Sequence, residues 1–335
     1  MPKPTWADAG SPSYLSAGMK PNGCHVLCGL ASDGSITFEL PLPARGHAAA
    51  AHPKAPEAVA FARRPGTYAI VLDCSTGTAK AELTAPEGRH FYGHGAFSPD
   101  GELLFTTEND YEAARGVVGI WNARGGYERI GETWSGGIGP HDIKMMPDGE
   151  TLVVANGGIE THPETGRTKL NLPTMRSNLS YLSLEGVIKA QFELGPEHQP
   201  NSIRHLAVSE SGDVAFAMQW QGDLTDNLSL LGVHSSLTGH PQLLVEASVR
   251  AMHGYLGSIA INGSSNQIAT TSPRSGVVKV FGMDGLRHSS NLVDVCGVAA
   301  SGNGFIVTTG TGVVRVPETG DVNHNLAWDN HLISI

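Results

Sequence analysis

Three features of this sequence predict an all-β ring: a recurring strand–turn–strand unit, long and regular anchor spacings, and chain ends that complete one another. Together they define a seven-bladed β-propeller with four antiparallel strands per blade. The ring is closed by the C-terminal strand joining the N-terminal blade. Composition agrees. Of 335 residues, 40% are hydrophobic and 16% charged, which excludes a disordered chain. The 42 Gly and 20 Pro are scattered without a three-residue period, so they punctuate short strands and do not build a collagen helix.

The clearest copies of the unit are His94-Gly-Ala-Phe-Ser-Pro-Asp-Gly101, His141-Asp-Ile-Lys-Met-Met-Pro-Asp-Gly149 and His205-Leu-Ala-Val-Ser-Glu-Ser-Gly212. Each leads into a β run: Leu103–Thr107, Thr151–Ala155 and Val214–Met218. Asp and Gly suit the intervening turn because they tolerate its backbone angles. Weaker copies start at His47, Gly257 and Cys296, and a last first strand at His331. The anchors are separated by 47, 47, 64, 52, 39 and 35 residues, the scale of propeller blades. Third and fourth strands follow, as at Tyr68–Leu72 with Thr78–Glu82, and Gly116–Trp121 with Tyr127–Ile130. The strand 331–335 lacks three partners, and the N-terminal region supplies three, near Tyr14–Ser16, His25–Cys28 and Ser35–Glu39. Closure hides the edges an open array would expose. The single propeller is therefore expected over 14–335, preceded by 1–13 as a flexible N-terminus or signal remnant.

The net charge of −10, with no run of basic residues in the sequence, argues against a nucleic-acid partner, which needs an extended basic face. No run of 18 apolar residues is present, so no membrane span is expected. Ala7-Asp8-Ala9 reads as the tail of a removed export signal, which points to the periplasm, with the cytoplasm as the alternative. Cys24 and Cys28 would lie roughly 13 Å apart on a strand, beyond disulfide reach. Free, mostly buried thiols are expected.

Propeller geometry sends two sets of residues to one mouth of the central channel. The anchors His47, His94, His141, His205, Cys296 and His331 form a candidate ring of metal ligands, of which one ion uses only a subset. Iron, copper or zinc would suit them. The loops after each second strand, with the residues just before the anchors, give a candidate ligand-binding face. It comprises Arg64, Arg89, His90, Glu108, Asn109, Asn156, Glu160, Arg204, Gln219, Gln221, Arg274 and Asp329. The unit 141–205 carries an insertion, residues 156–176, expected over the mouth as a lid or partner contact. No C-x-x-C-H is present, which excludes covalent haem, and no G-x-S-x-G, P-loop or H-E-x-x-H occurs. Whether the protein is an enzyme stays open. Three functions are carried: a propeller binding a metal ion, a metal chelate or a partner protein at its His-rich channel mouth, a metal-dependent lactonase-like hydrolase with Glu108 or His94 as base, and a protein-interaction scaffold with a structural His ring.

Long ordered runs resemble the bacterial domain-of-unknown-function 1513 family. They include Ala44-Arg-Gly-His47, Gly88-Arg-His-Phe-Tyr-Gly-His94, Thr106-Thr-Glu-Asn-Asp-Tyr-Glu112, Val154-Ala-Asn-Gly-Gly-Ile-Glu-Thr-His-Pro163, Ser202-Ile-Arg-His205 and Ala327-Trp-Asp-Asn-His331. The resemblance covers about residues 14–335. It implies a propeller exported to the periplasm, often by a twin-arginine signal, and a role in iron acquisition beside imelysin-like iron-uptake proteins. It implies no established activity.

Overall fold

Seven four-stranded sheets are arranged as the repeat predicts, in a computed structural model that describes residues 3–63, 67–235 and 239–335. Every sheet is antiparallel and runs from the channel outward in chain order, except the first, whose inner strand comes from the C-terminus. In blade 1, Ala327–Trp328 and Ile333–Ser334 pair with Tyr14–Met19, followed by His25–Leu30 and Ile36–Leu42. The stretch 331–335, expected as one strand, is thus a strand broken at Asp329–Leu332. The break places the His331 carbonyl where it accepts from Ser16 Oγ at 2.8 Å.

The inner strands of blades 2 to 7 are Gly46–Ala51, Arg89–Phe97, Pro140–Met145, Asn201–Val208, Ser258–Asn262 and Val295–Ser301. Outer strands read as solvent-facing ribbons; Glu128–Trp134 alternates exposed and half-buried residues along its whole length. Second strands are buried on both faces: Thr151–Asn156 has no exposed residue. The core lies between blades. Val153 and Leu179 of blade 4 pack with Ile203 and Phe216 of blade 5, and with Ile268 and Phe281 of blade 6. This burial is the main stabilising term of the ring.

The Pro-Asp-Gly turns hold as structural devices. Asp100 Oδ1 accepts from the Glu102 N–H at 2.9 Å, and Asp148 Oδ1 from the Glu150 and Thr151 N–H groups, each at 2.9 Å. Ahead of the first strand, Trp6–Ala9 form a 3₁₀ turn, and Trp6 Nε1 donates to the His52 carbonyl at 3.0 Å. All four cysteines are free; Cys24 is exposed and the other three are buried.

One irregularity recurs where it matters. The pairing of inner with second strand slips at Gly46/Ala49, Phe91/Gly95, Pro140/Asp142, Ile203/His205 and Val295/Val298. Blade 6 pairs without a slip. A bulge re-aims side chains against the strict alternation of a strand. Here it turns the anchor imidazoles toward the axis.

Candidate functional site

Five imidazoles fill the channel as one layer. The His331 ring lies 4.6 Å from His47, 4.7 Å from His94 and 4.9 Å from His205, centroid to centroid. His141 closes the group at 4.8 Å from His205 and 5.1 Å from His94. Gly93 makes this close packing feasible. Its φ is +104°, and a Cβ there would sit 2.5 Å from His47 Cδ2.

The neighbours assign the ring protons. His94 Nδ1 lies 3.1 Å from Asp142 Oδ1, and His141 Nδ1 donates to the Arg204 carbonyl at 3.1 Å. Carboxylate and carbonyl only accept, so both rings carry their proton on Nδ1 and present a bare Nε2. His94 Nε2 lies 3.3 Å from His47 Nε2. His47 Nδ1, both nitrogens of His205, and His331 Nε2 are buried without a hydrogen-bond partner. Leaving one such atom unsatisfied costs about 1–3 kcal/mol. Two groups bring three imidazole donors within 4.8 Å of one another: His47, His94 and His331, and His94, His141 and His205.

The electrostatics keep four of these imidazoles, His47, His141, His205 and His331, neutral. Burial pushes His47, His141 and His331 well below the usual imidazole range, and neighbouring imidazoles push the same way. His205 is pushed down to about 3, by burial first and His94 second. Asp142 is the counterweight. Burial opposes its charge, yet Lys144 and His94 hold the carboxyl well below the usual carboxylate range. Its Oδ1 accepts from the Ile143 N–H at 2.8 Å, its Oδ2 from the Leu206 N–H at 2.9 Å, and Lys144 Nζ stands 3.4 Å away.

The layer separates two cavities. On one side, a bore of ≈ 350 Å³ is lined by inner-strand residues such as Ala49, Ala96, Ala260 and Ala299, with Asp142 and Lys144. On the other, the mouth predicted from the second-strand loops opens as a cavity of ≈ 480 Å³ over His47, His141 and His205. The insertion 156–176 does reach this mouth. Ile159, Thr161, Arg167 and Lys169 line it, and Asn109 Nδ2 ties the insertion down by donating to the Thr161 carbonyl at 3.1 Å.

Of the residues expected on the ligand face, Arg204, Gln219 and Arg274 line this cavity. Gln221 stands at its edge, where its Oε1 accepts from Lys169 Nζ. Asp329 is buried behind the wall, accepting from Arg45 Nε at 2.5 Å and Arg63 Nη1 at 2.8 Å. The Glu160 N–H donates to Asn171 Oδ1, which shapes the insertion. The others lie elsewhere. Glu108 is fully buried inside blade 3, where Arg129 donates to both its oxygens at 2.7 and 3.0 Å. Asn156 is fully buried and donates to Ser135 O and Asn178 Oδ1. Arg89 pairs with Asp110 and Glu132, and His90 stacks on Tyr111. Arg64 lies outside the described residues.

Cys296, the sixth candidate ligand, belongs to neither three-imidazole group. Its thiol turns toward the Asp294 carbonyl at 3.2 Å, in a side cavity shared with His25 and Asp329. Burial pushes that thiol up to about 12. Asp142 and Lys144 were not among the expected residues, although Asp142 follows an anchor directly. Arg63 adjoins Arg64, and Arg167 and Lys169 belong to the insertion expected over the mouth, without having been singled out as ligand-face residues.

Geometry and repeats define the class: a seven-bladed β-propeller with an imidazole layer across its channel. Residues 40–335 match the family model described as a protein of unknown function, DUF1513, and the chain belongs to that family. Among curated proteins, none matches it in sequence. Among solved structures, Kuenenia stuttgartiensis hydrazine synthase is similar, with a TM-score of 0.65 at 13% identity, covering 89% of this chain and 93% of that one. At that identity the likeness speaks to the fold alone. Among the described residues, no helix is long and apolar enough to cross a membrane.

Proposed function

We propose that this propeller binds a first-row transition-metal ion at its imidazole layer, through His94, His141 and His205. The observation that supports this reading is the proton assignment. His94 and His141 each spend Nδ1 on an acceptor and offer a bare Nε2, the arrangement in which an outer carboxylate or carbonyl orients a ligating histidine. His205, with two unpartnered buried nitrogens, completes the set. His47 Nε2 stands 3.3 Å from His94 Nε2. That matches the edge of about 3.3 Å that two nitrogens make when each lies about 2.0–2.1 Å from one tetrahedral ion, but His47 groups with His94 and His331 and not with His141 and His205, so the chosen set is three imidazoles with an open position. An all-imidazole set suits copper, zinc and iron(II).

A periplasmic role in iron handling, beside imelysin-like partners, extends the same proposal. What supports that extension is the family resemblance and the fit of imidazole to iron(II). The hydrolase reading is not carried further: one of its two candidate bases, Glu108, is locked to Arg129 inside blade 3, and the other, His94, is assigned in this proposal to the metal.

The test is elemental analysis of untagged protein after reconstitution with each metal. One ion per chain is expected. His94→Ala, which removes a member of both imidazole groups, abolishes it. His205→Ala weakens binding more than His331→Ala if the group is correctly chosen. No bound ion in the folded wild-type protein would overturn the proposal.

A further inference from the structure

The mouth above the imidazole layer has its own chemistry. Arg63, Arg167, Lys169, Arg204 and Arg274 all line the ≈ 480 Å³ cavity, and no carboxylate lines it among the described residues. The whole chain, by contrast, carries 32 acidic against 22 basic residues. Five cations around one concavity of an acidic protein form a local positive field, which focuses anions. Burial, then Arg204 and Arg274, lower the Lys169 pKa, as expected of a cation whose neighbours repel it.

Two of these groups are held in place. The Arg274 guanidinium lies over the Tyr255 ring at 4.5 Å, and Arg63 is oriented by Asp329 at 2.8 Å. Guanidinium forks match carboxylate and phosphate oxygens in pairs. Tyr92, Ile159, Tyr255 and Pro273 give the walls apolar surface, and the volume falls in the range of small-ligand pockets.

We infer that this mouth binds a compact oxyanion carrying two or more negative charges, a polycarboxylate or a phosphate compound, clamped between Arg204, Arg274 and Lys169. The site needs no metal, so it stands apart from the metal-binding reading. If both hold, the anion sits directly over His47, His141 and His205.

The experiment is isothermal titration of metal-free, chelator-treated protein at low ionic strength, with citrate in one arm and inorganic pyrophosphate in the other. Saturable binding in the citrate arm marks a carboxylate ligand, and in the pyrophosphate arm a phosphate ligand. Either is expected to weaken at least tenfold in the Arg204→Ala/Arg274→Ala variant and as salt rises. Arg274→Lys keeps a charge but loses the fork, and falls between. Thermal melting checks that each variant is folded. No binding in either arm, or binding unchanged in the folded double variant, would overturn the inference.

Discussion

Blades 2 to 5 and blade 6 share their outer architecture and differ where they meet the channel. Blades 2, 3, 4 and 5 slip register at the anchor and turn His47, His94, His141 and His205 inward. Blade 6 keeps continuous register from Ser258 to Asn262 and closes with hydroxyls: Thr270 Oγ1 donates to the Ser258 carbonyl at 2.9 Å, and Ser258 Oγ accepts from the Val298 N–H at 3.2 Å. Blade 7 slips too, yet its Cys296 thiol turns away. The difference teaches that a propeller of this size closes without an imidazole. That contrast, with the buried unpartnered nitrogens, is what supports the proposed metal site.

The sharpest way to break this comparison is His94→Ala. The expected result is complete loss of bound metal with the seven-bladed fold retained, read by elemental analysis and circular dichroism. A variant that unfolds would make the layer architectural after all.

Glu108→Ala should do the opposite. It removes the bidentate partner of Arg129, which keeps Glu132 at 3.0 Å, and is expected to destabilise the protein by about 1–3 kcal/mol in urea melts, while metal stoichiometry in the folded protein stays unchanged. Loss of metal from folded Glu108→Ala would place that carboxylate in the site.

Asp142→Asn removes the carboxylate that orients His94, and a drop of about 10–100-fold in metal affinity is expected. Unchanged affinity would mean that His94 orients itself.

Acid should weaken the metal-free fold through the same layer. His47, His141 and His331 lie well below their ordinary value of 6.5, and His205 at about 3. Below pH 6.5 the unfolded chain binds protons that the folded layer refuses, so stability falls as pH drops from 6.5 toward 3. The slope is about 1.4 kcal/mol per pH unit for each such histidine. Melts from pH 7.5 to about pH 5 check this; a flat profile would mean these four imidazoles are not held neutral.

The smallest effect belongs to Cys296→Ser, which should leave metal content unchanged. In the wild-type protein the exposed Cys24 should react with a thiol reagent well before Cys296.

Much of this was legible in the chain. Repeated Pro-Asp-Gly turns, placing Gly101 and Gly149 at positive φ, announce the inner hairpins, and the spacing of the anchors counts the blades. Convergence of five histidines follows from that count. What the repeats do not encode is the slip at each anchor. Strict alternation puts Asp142 and His141 on opposite faces, and only the bulge brings Asp142 to His94. The polar ends of second strands misled for a related reason. Glu108 and Asn156 look like loop polarity, but both point into the blade, where Arg129 and Ser135 satisfy them. The insertion was visible as a length anomaly, while the return of Arg167 and Lys169 to the mouth depends on contacts such as Leu170 N–H to the Glu160 carbonyl at 3.0 Å, which no repeat predicts.

The most direct test of the central claim is to count imidazoles around an ion. X-ray absorption spectroscopy on the metal-loaded, untagged protein should show three histidine nitrogens at about 2.0–2.1 Å, with no sulfur in the shell. A shell of surface oxygens, or a sulfur ligand from Cys296, would contradict the account.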